Sequence, residues 1–452
     1  MSEDLGASAA APSYQPSYDP AGEVVDLCRD LIRIDTSNYG DDSGPGERKA
    51  AEHVAALLEE VGIEARLYEA TPGRTSVVAN WGGSGSAGSS ERGRLLLHGH
   101  LDVVPAAAED WQVDPFSGEV QDGYVWGRGA VDMKDFDAML LSTVRARQRA
   151  GQVPEREIVL CFTADEEAGG HHGAQVLVEQ HREELEGCTE AVGEVGGFST
   201  TVRGRRLYLI EAAEKGMAWM KLTARGRAGH GSMINPDNAV TRLSAAVARI
   251  GAHEWPVRLT PTMEVLLATV ADLAGTDATP ENAQALMGEF GGAARMLGAV
   301  IRNTVNPTQL SAGYKVNVIP TEATAHIDGR FLPGFEDEFF ETLRELCGEG
   351  VEWEFLSHQQ PWETPYDGDL VAAMTRSILA EDPEGLVAPY TMSGGTDAKH
   401  FRTLGMRSYG FAPLRLPAEL DFTALFHGVD ERVPVDALEF GARVFDRFLD
   451  QV

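Results

Sequence analysis

Apolar residues recur at helical spacing in Val24, Leu27, Cys28 and Leu31, and again in Val54, Leu57, Leu58 and Val61, where Gly62 closes the run. This periodicity predicts a first helix over 21–34 and a second over 46–61. Short apolar runs at 76–80, 94–98 and 157–163 predict strands, interleaved with a helix over 134–150. Strand and helix alternation of this kind predicts an α/β domain with a mixed, largely parallel central sheet flanked by helices. Near residue 212 the pattern changes. AAEKGMAWMKLTARGRAGHGS alternates like an edge strand, 238–250 is helical, VNVIPTEATAHIDGRFLP (316–333) alternates again, and 335–347 is helical. A smaller α+β domain inserted into the first is expected, with the mostly helical stretch 255–310 as an elaboration on it. From 358 the α/β pattern returns and ends in an amphipathic helix over 434–450, with Pro434 in its first turn. The expected division is a tail over 1–19, a larger domain in two parts (20–211 and 358–452) and the insert over 212–357.

A length of 452 residues favours two domains, and 43% hydrophobic with 24% charged residues is a globular composition. The Ala-, Ser- and Pro-rich first 19 residues read as a mobile tail, and GGSGSAGSS (82–90) as a flexible loop. No apolar run reaches the length of a membrane span and the start lacks the features of a signal peptide, so the expected address is the cytoplasm. A formal charge of −32 argues against nucleic acid or an anionic membrane as partner. Cys28, Cys161, Cys188 and Cys347 have no paired spacing and each sits among apolar neighbours, which predicts buried thiols.

Candidate chemistry changes the picture most. LLLHGHLDVVP (95–105), GRGAVDMK (127–134), FTADEEAGG (162–170) and LFHGVDE (425–431) each set histidine or carboxylate beside an apolar run and a turn of small residues. Taken singly, His100 and Asp102 read equally as a core histidine beside a turn aspartate, and Asp132 as a helix cap. The run Asp165-Glu166-Glu167 is different, because adjacent carboxylates at a strand end repel unless cations gather there. With Glu194 of GEVGG, a pocket holding Asp132, Glu166, Glu167 and Glu194 would carry four negative charges, which two divalent ions cancel. His100, Asp132, Glu167 and His427 can ligate metal and Glu166 can act as base. Asp102, two residues beyond His100, can accept the other imidazole N–H. Two imidazoles with carboxylates suit zinc, with manganese or cobalt as substitutes.

HGHLDVVP, WQVDPFSGEVQDGYVWGRGAVDMK, TADEEAGG, AGHGS and GGTD, in this order, resemble the dizinc amidohydrolases and metallopeptidases that include aminoacylases, carboxypeptidases, dipeptidases and succinyl-diaminopimelate desuccinylase. The resemblance covers 22–450. It implies that His100 and Glu194 bind one zinc, Glu167 and His427 the other, Asp132 both, with Asp102 supporting His100 and Glu166 as general base. It implies a cis peptide at Asp132–Met133, and makes the insert a lid and dimerisation domain. His230 of AGHGS becomes the oxyanion donor, reaching a neighbouring subunit in a homodimer. Arg330 is expected to grip a substrate carboxylate, with Asn317 beside it and backbone donors from Gly394, Gly395 and Thr396. Val195 replaces the proline that many members carry after the fourth-motif glutamate, which leaves Glu190 as an alternative to Glu194. The implied activity is hydrolysis of an amide bond in a dipeptide, C-terminal peptide or N-acyl amino acid by a metal-activated water. A non-catalytic binding protein with the same fold and a dizinc aminopeptidase are the competing readings.

Overall fold

Ten strands form one mixed sheet in a computed structural model that describes residues 16–41, 43–83 and 92–452. At its centre Ile158–Thr163, Arg94–His100, Cys188–Gly193 and Arg407–Gly410 lie side by side in that order, all parallel. The first two are buried along their whole length, as strands covered on both faces must be. Antiparallel strands Arg74–Trp81 and Arg205–Glu214 flank this parallel core. Parallel direction places the C-terminal ends of neighbouring strands on one edge, where open α/β sheets present their chemistry. The Arg94–His100 strand runs two residues past the apolar run, so His100 is its last residue rather than a turn residue. His98 is buried within it, beside Phe401 and against Gly193, where a side chain would collide with the imidazole. Helix Lys134–Arg149 packs between Val24–Ile32 and Val435–Leu449, and Gly368–Glu381 packs on Val435–Leu449, with Pro434 just outside that last helix. The Asp132–Met133 peptide is cis, as the resemblance implied.

A second, antiparallel sheet has the order Thr304–Ala312, Glu322–Phe331, Gly216–Arg225, Val351–Gln359. Gly216–Arg225 is therefore an interior strand, not the edge its alternation suggested. The alternation reflects its two unlike faces. Ala218, Met220 and Leu222 point to a core shared with helices Ala239–Ala252 and Glu336–Cys347, while Met217 and Trp219 face a cleft.

The stretch 255–310 also departs from expectation. Helix Pro261–Ala274 starts at a Thr260 cap with proline in its first turn, and its Met263, Leu266, Leu267 and Val270 are buried in the larger core. Leu286, Met287, Val300 and Ile301 join the same core. The segment braces the ten-stranded sheet instead of elaborating the insert, and returns to the smaller sheet only at Thr304–Ala312. Helical periodicity identifies a buried face but not the partner that buries it.

Residues 1–15 of the expected tail and 84–90 of the expected loop lie outside the described residues. Within the rest of that tail, Tyr18 donates its hydroxyl to Asp446 Oδ1 at 2.8 Å. All four cysteines are buried free thiols. Among the described residues no helix is long and apolar enough to cross a membrane.

Because Leu266 is fully buried in the larger core, Leu266→Ala is expected to destabilise the protein by about 2–5 kcal/mol, read as a lower urea midpoint. An unchanged midpoint would detach this helix from that core.

Candidate metal centre

His100, at the end of its strand, directs Nε2 to Asp132 Oδ1 at 3.1 Å and Glu194 Oε2 at 3.4 Å. His427 directs Nε2 to Asp132 Oδ2 at 3.1 Å and Glu167 Oε2 at 3.1 Å. The two oxygens of Asp132 thus face different imidazoles, the arrangement a bridging carboxylate needs. Ligand atoms of His100, Asp132 and Glu167 lie within 4.8 Å of one another, as do those of His100, Glu166 and Glu194. Glu190 instead pairs with Arg156 at 2.8 Å, so it is Glu194 that joins the cluster.

Electrostatics support a cation-binding role. Burial works against a charged His100, yet Glu194, Asp102 and Asp132 raise its pKa well above the usual imidazole value. Contacts with Asp132 and Glu167 lift His427 to about 10. Burial, and then Glu194, push the Glu166 carboxyl well up; burial and Asp132 raise Glu167. Burial lifts Glu194 to about 7 against the pull of His100. An imidazole nitrogen facing two carboxylate oxygens demands a positive charge between them, which a proton or a metal ion can supply. Glu167 Oε1 is buried and has no hydrogen-bond partner among the described residues. Two histidines, a bridging aspartate and orphaned carboxylate oxygen form a donor set that fits two divalent cations.

Asp102 acts differently from the expectation. His100 Nδ1 lies 2.9 Å from the Asp102 backbone carbonyl and 3.6 Å from its carboxylate. The carboxylate instead accepts the backbone N–H groups of Glu166 and Glu167, at 3.0 and 3.1 Å, and the Asn38 amide at 2.8 Å. A buried aspartate with three donors is fully engaged and fixes both glutamates from below. Asn38 also donates to Asp165 Oδ1 at 3.0 Å and accepts from Arg74 at 2.7 Å, and Arg74 is ion-paired to buried Glu47. Asp165 sits at φ 66, a left-handed conformation, and its carboxylate caps the His172 N–H at 2.9 Å. Asn38, Glu47 and Arg74 escaped sequence reasoning, although DTSN marks a polar turn after the first helix and GPGE one before the second.

Other ties fix the remaining loops. Glu431 pairs with Arg128 and accepts the Val131 N–H at 2.8 Å, joining the His427 segment to the turn before Asp132. His400, to which the sequence assigned no role, lies 2.9 Å from the Gly169 carbonyl through Nε2. Gly170, at φ 73, passes so near Asp397 that a Cβ would lie 2.5 Å from Oδ1.

A cleft of about 710 Å³ opens over the cluster, between it and the smaller sheet. Arg330, Gly394 and Gly395 line it, and so does Lys399, which sequence reasoning missed. Arg330 is held by Asp328 through Nε at 2.7 Å and Nη2 at 3.2 Å. Thr396 does not face the cleft: its N–H and hydroxyl both donate to buried Glu214. Asn317 is not beside Arg330 either. It is exposed, and its carbonyl accepts the Gly231 N–H at 3.0 Å, next to His230. His230 is exposed, hydrogen-bonded to Ser232 at 2.8 Å, and absent from the cleft wall.

Known proteins similar to this chain are numerous. Aminoacylase-1 of Homo sapiens is 28% identical over 435 residues, covering 94% of this chain and 94% of its own length. The N-fatty-acyl-amino acid synthase/hydrolase PM20D1 of Xenopus tropicalis is 28% identical over 449 residues, covering 92% of this chain and 83% of its own. The fold matches the M20 family metallo-carboxypeptidase Sso-CP2 of Sulfolobus solfataricus with a TM-score of 0.68 at 18% identity, over 95% of this chain and 99% of that one. It also matches the Bacillus subtilis YXEP protein, a dinuclear metal-binding M20 peptidase, with a TM-score of 0.61 at 13% identity, over 96% and 98%. The sequence profile of Peptidase family M20/M25/M40 matches residues 96–451, and the chain is a metallohydrolase belonging to that family.

Proposed function

We propose that the protein hydrolyses the amide bond of an N-acyl amino acid or a small peptide, with two zinc ions held by His100, Asp132, Glu167, Glu194 and His427. The observation that carries this reading is Asp132, whose two oxygens face His100 and His427 at 3.1 Å each, with Glu166 beside the pair. Bound divalent ions supply Lewis acidity and lower the pKa of water to about 7. Glu166 takes a proton from the attacking water and delivers it to the leaving nitrogen. Asp102 keeps the Glu166 backbone in place for both transfers, through the N–H it accepts at 3.0 Å. Met217 and Trp219 on the smaller sheet, with Phe426 across from them, give the cleft an apolar wall that excludes water around the scissile bond. The long coverage of aminoacylase-1 supports the N-acyl amino acid over the peptide.

The oxyanion donor expected from the insert, His230, is not among the residues lining this cleft. The neighbouring Met233, Ile234, Tyr314 and Val316 are exposed apolar side chains. Burying these against a second copy, and thereby delivering His230 to the partner's cleft, accounts for both facts.

Glu166→Gln preserves shape without basicity, so it should retain both metals and lose about 10²- to 10⁴-fold in kcat on N-acetyl amino acids. Retention of nearly full turnover would exclude Glu166 as the base. His427→Ala removes one pole of the site, and metal analysis should find fewer than two ions per chain; full occupancy would strike His427 from the ligands. Co-expressing Glu166→Ala with His230→Ala chains should recover up to about one quarter of native activity, since half of randomly paired dimers hold one intact site of two. Demonstrably mixed dimers with no recovery would rule out action across subunits.

A further inference from the structure

We infer that Tyr390 is a positioning residue for Glu194, clamping the strained turn on which that carboxylate stands. This rests on the proposed ligand set, in which Glu194 joins His100 and Asp132. Glu194 takes the first step out of strand Cys188–Gly193, and the chain then turns through Val195, Gly196 and Gly197. Val195 has φ 52. A β-branched side chain crowds the backbone in this left-handed region, which glycine and asparagine enter far more readily. Proline, fixed at a φ of about −65°, cannot enter it at all. The two glycines are committed elsewhere. Gly196 packs on the Gly410 carbonyl with no room for a Cβ, and Gly197 is itself left-handed at φ 74.

Backbone holds the carbonyls on either side of Val195, and a side chain holds its own. The Gly193 carbonyl accepts the Phe411 N–H at 2.8 Å, and that of Gly196 accepts the Ala412 N–H at 2.6 Å. Between them, the Val195 carbonyl accepts the Tyr390 hydroxyl at 2.8 Å. Tyr390 is well placed to hold it. The residue is fully buried in strand Leu386–Met392, which pairs in parallel with Arg205–Glu214, and its ring meets Phe198 edge-on at 5.9 Å. Burial, and then Glu211, push the phenol well above its usual pKa, so the hydroxyl remains a donor. Without this bond the peptide after Val195 is free to turn, and Val195 relaxes towards negative φ. That movement carries Glu194 away from His100 Nε2, which lies 3.4 Å from its Oε2.

Tyr390→Phe deletes one oxygen and keeps the buried ring. Zinc calorimetry reads the two metal positions separately: His427→Ala protein keeps the pole of His100 and Glu194, and His100→Ala protein keeps the other. Tyr390→Phe should weaken zinc about ten- to a hundredfold in the first and less than about twofold in the second, as expected for a group that orients one ligand. Adding Val195→Asn, which tolerates the left-handed conformation, should restore most of the loss. Amide hydrogen exchange in the zinc-free full chain reads the clamp without metal. Over 194–197 it should run roughly three- to tenfold faster in Tyr390→Phe, the weight of one hydrogen bond. Val195→Asn alone should keep zinc at the first position within about twofold of its parent, an arm that stands whether or not Tyr390→Phe folds. Unchanged exchange, equal weakening at both positions, no rescue by asparagine, or a tenfold loss in Val195→Asn alone (roughly the least that a lost orienting group costs) overturns the assignment. Glu194→Ala in the His427→Ala protein checks the ligand set separately. Unchanged zinc affinity there would count against the proposed metal centre, and the exchange rates would still decide whether Tyr390 clamps the turn.

Discussion

Like-charge crowding governs this molecule. Asp132, Glu166, Glu167 and Glu194 converge at one edge of the parallel strands, beside the imidazoles of His100 and His427 and the ammonium of Lys399. Burial is the first cause of the raised pKa of each of the three glutamates. Such a set is tolerable only with positive charge between the oxygens, and the fold delivers every donor to the place where that charge must sit. The strand ends, the tight turns and the smaller sheet that roofs the cleft all follow from holding this unstable composition in register.

Holding it falls to a polar layer beneath the cluster. Asn38 stands at its centre, donating to Asp102 and Asp165 and accepting from Arg74, while Glu47 closes the chain of contacts behind Arg74. Asp102 and Asp165 accept donors through both of their oxygens, in contrast to Glu167 Oε1, which meets none among the described residues. Satisfied groups are rigid and orphaned ones are receptive. The division lets the pair Glu166 and Glu167 sit on a fixed backbone while their side chains remain available for cations and protons.

Much of this was legible in the chain and some was not. The strand ends near His100, Glu166 and Glu194 were readable because short apolar runs stop at polar residues and small turns. His427 was readable only through the joint order of motifs, since a lone histidine before a helix carries no signal. The alternation in 216–225 showed two unlike faces correctly but could not say that strands lay on both sides. Helix 261–274 showed a buried face without naming the sheet that buries it. Asn38, Arg74 and Lys399 were missed for one reason: their chemistry comes from neighbours distant in sequence, such as Asp165 for Asn38 and Glu166 for Lys399. Arg330 was legible as a cleft residue, while the Asp328 that occupies it, two positions away on the same face, was not weighed.

The contact between Arg128 and Glu431 has a consequence for the order of events during synthesis. It ties the turn that presents Asp132 to a segment 303 residues further along the chain, and His427 travels with that segment. Every other carboxylate of the cluster is translated long before. A nascent chain therefore carries an acidic pocket with one imidazole, able to hold cations loosely, and becomes a two-pole centre only when its C-terminal strand and helix dock. Maturation of the centre therefore waits on the segment that carries His427, long after its carboxylates are made.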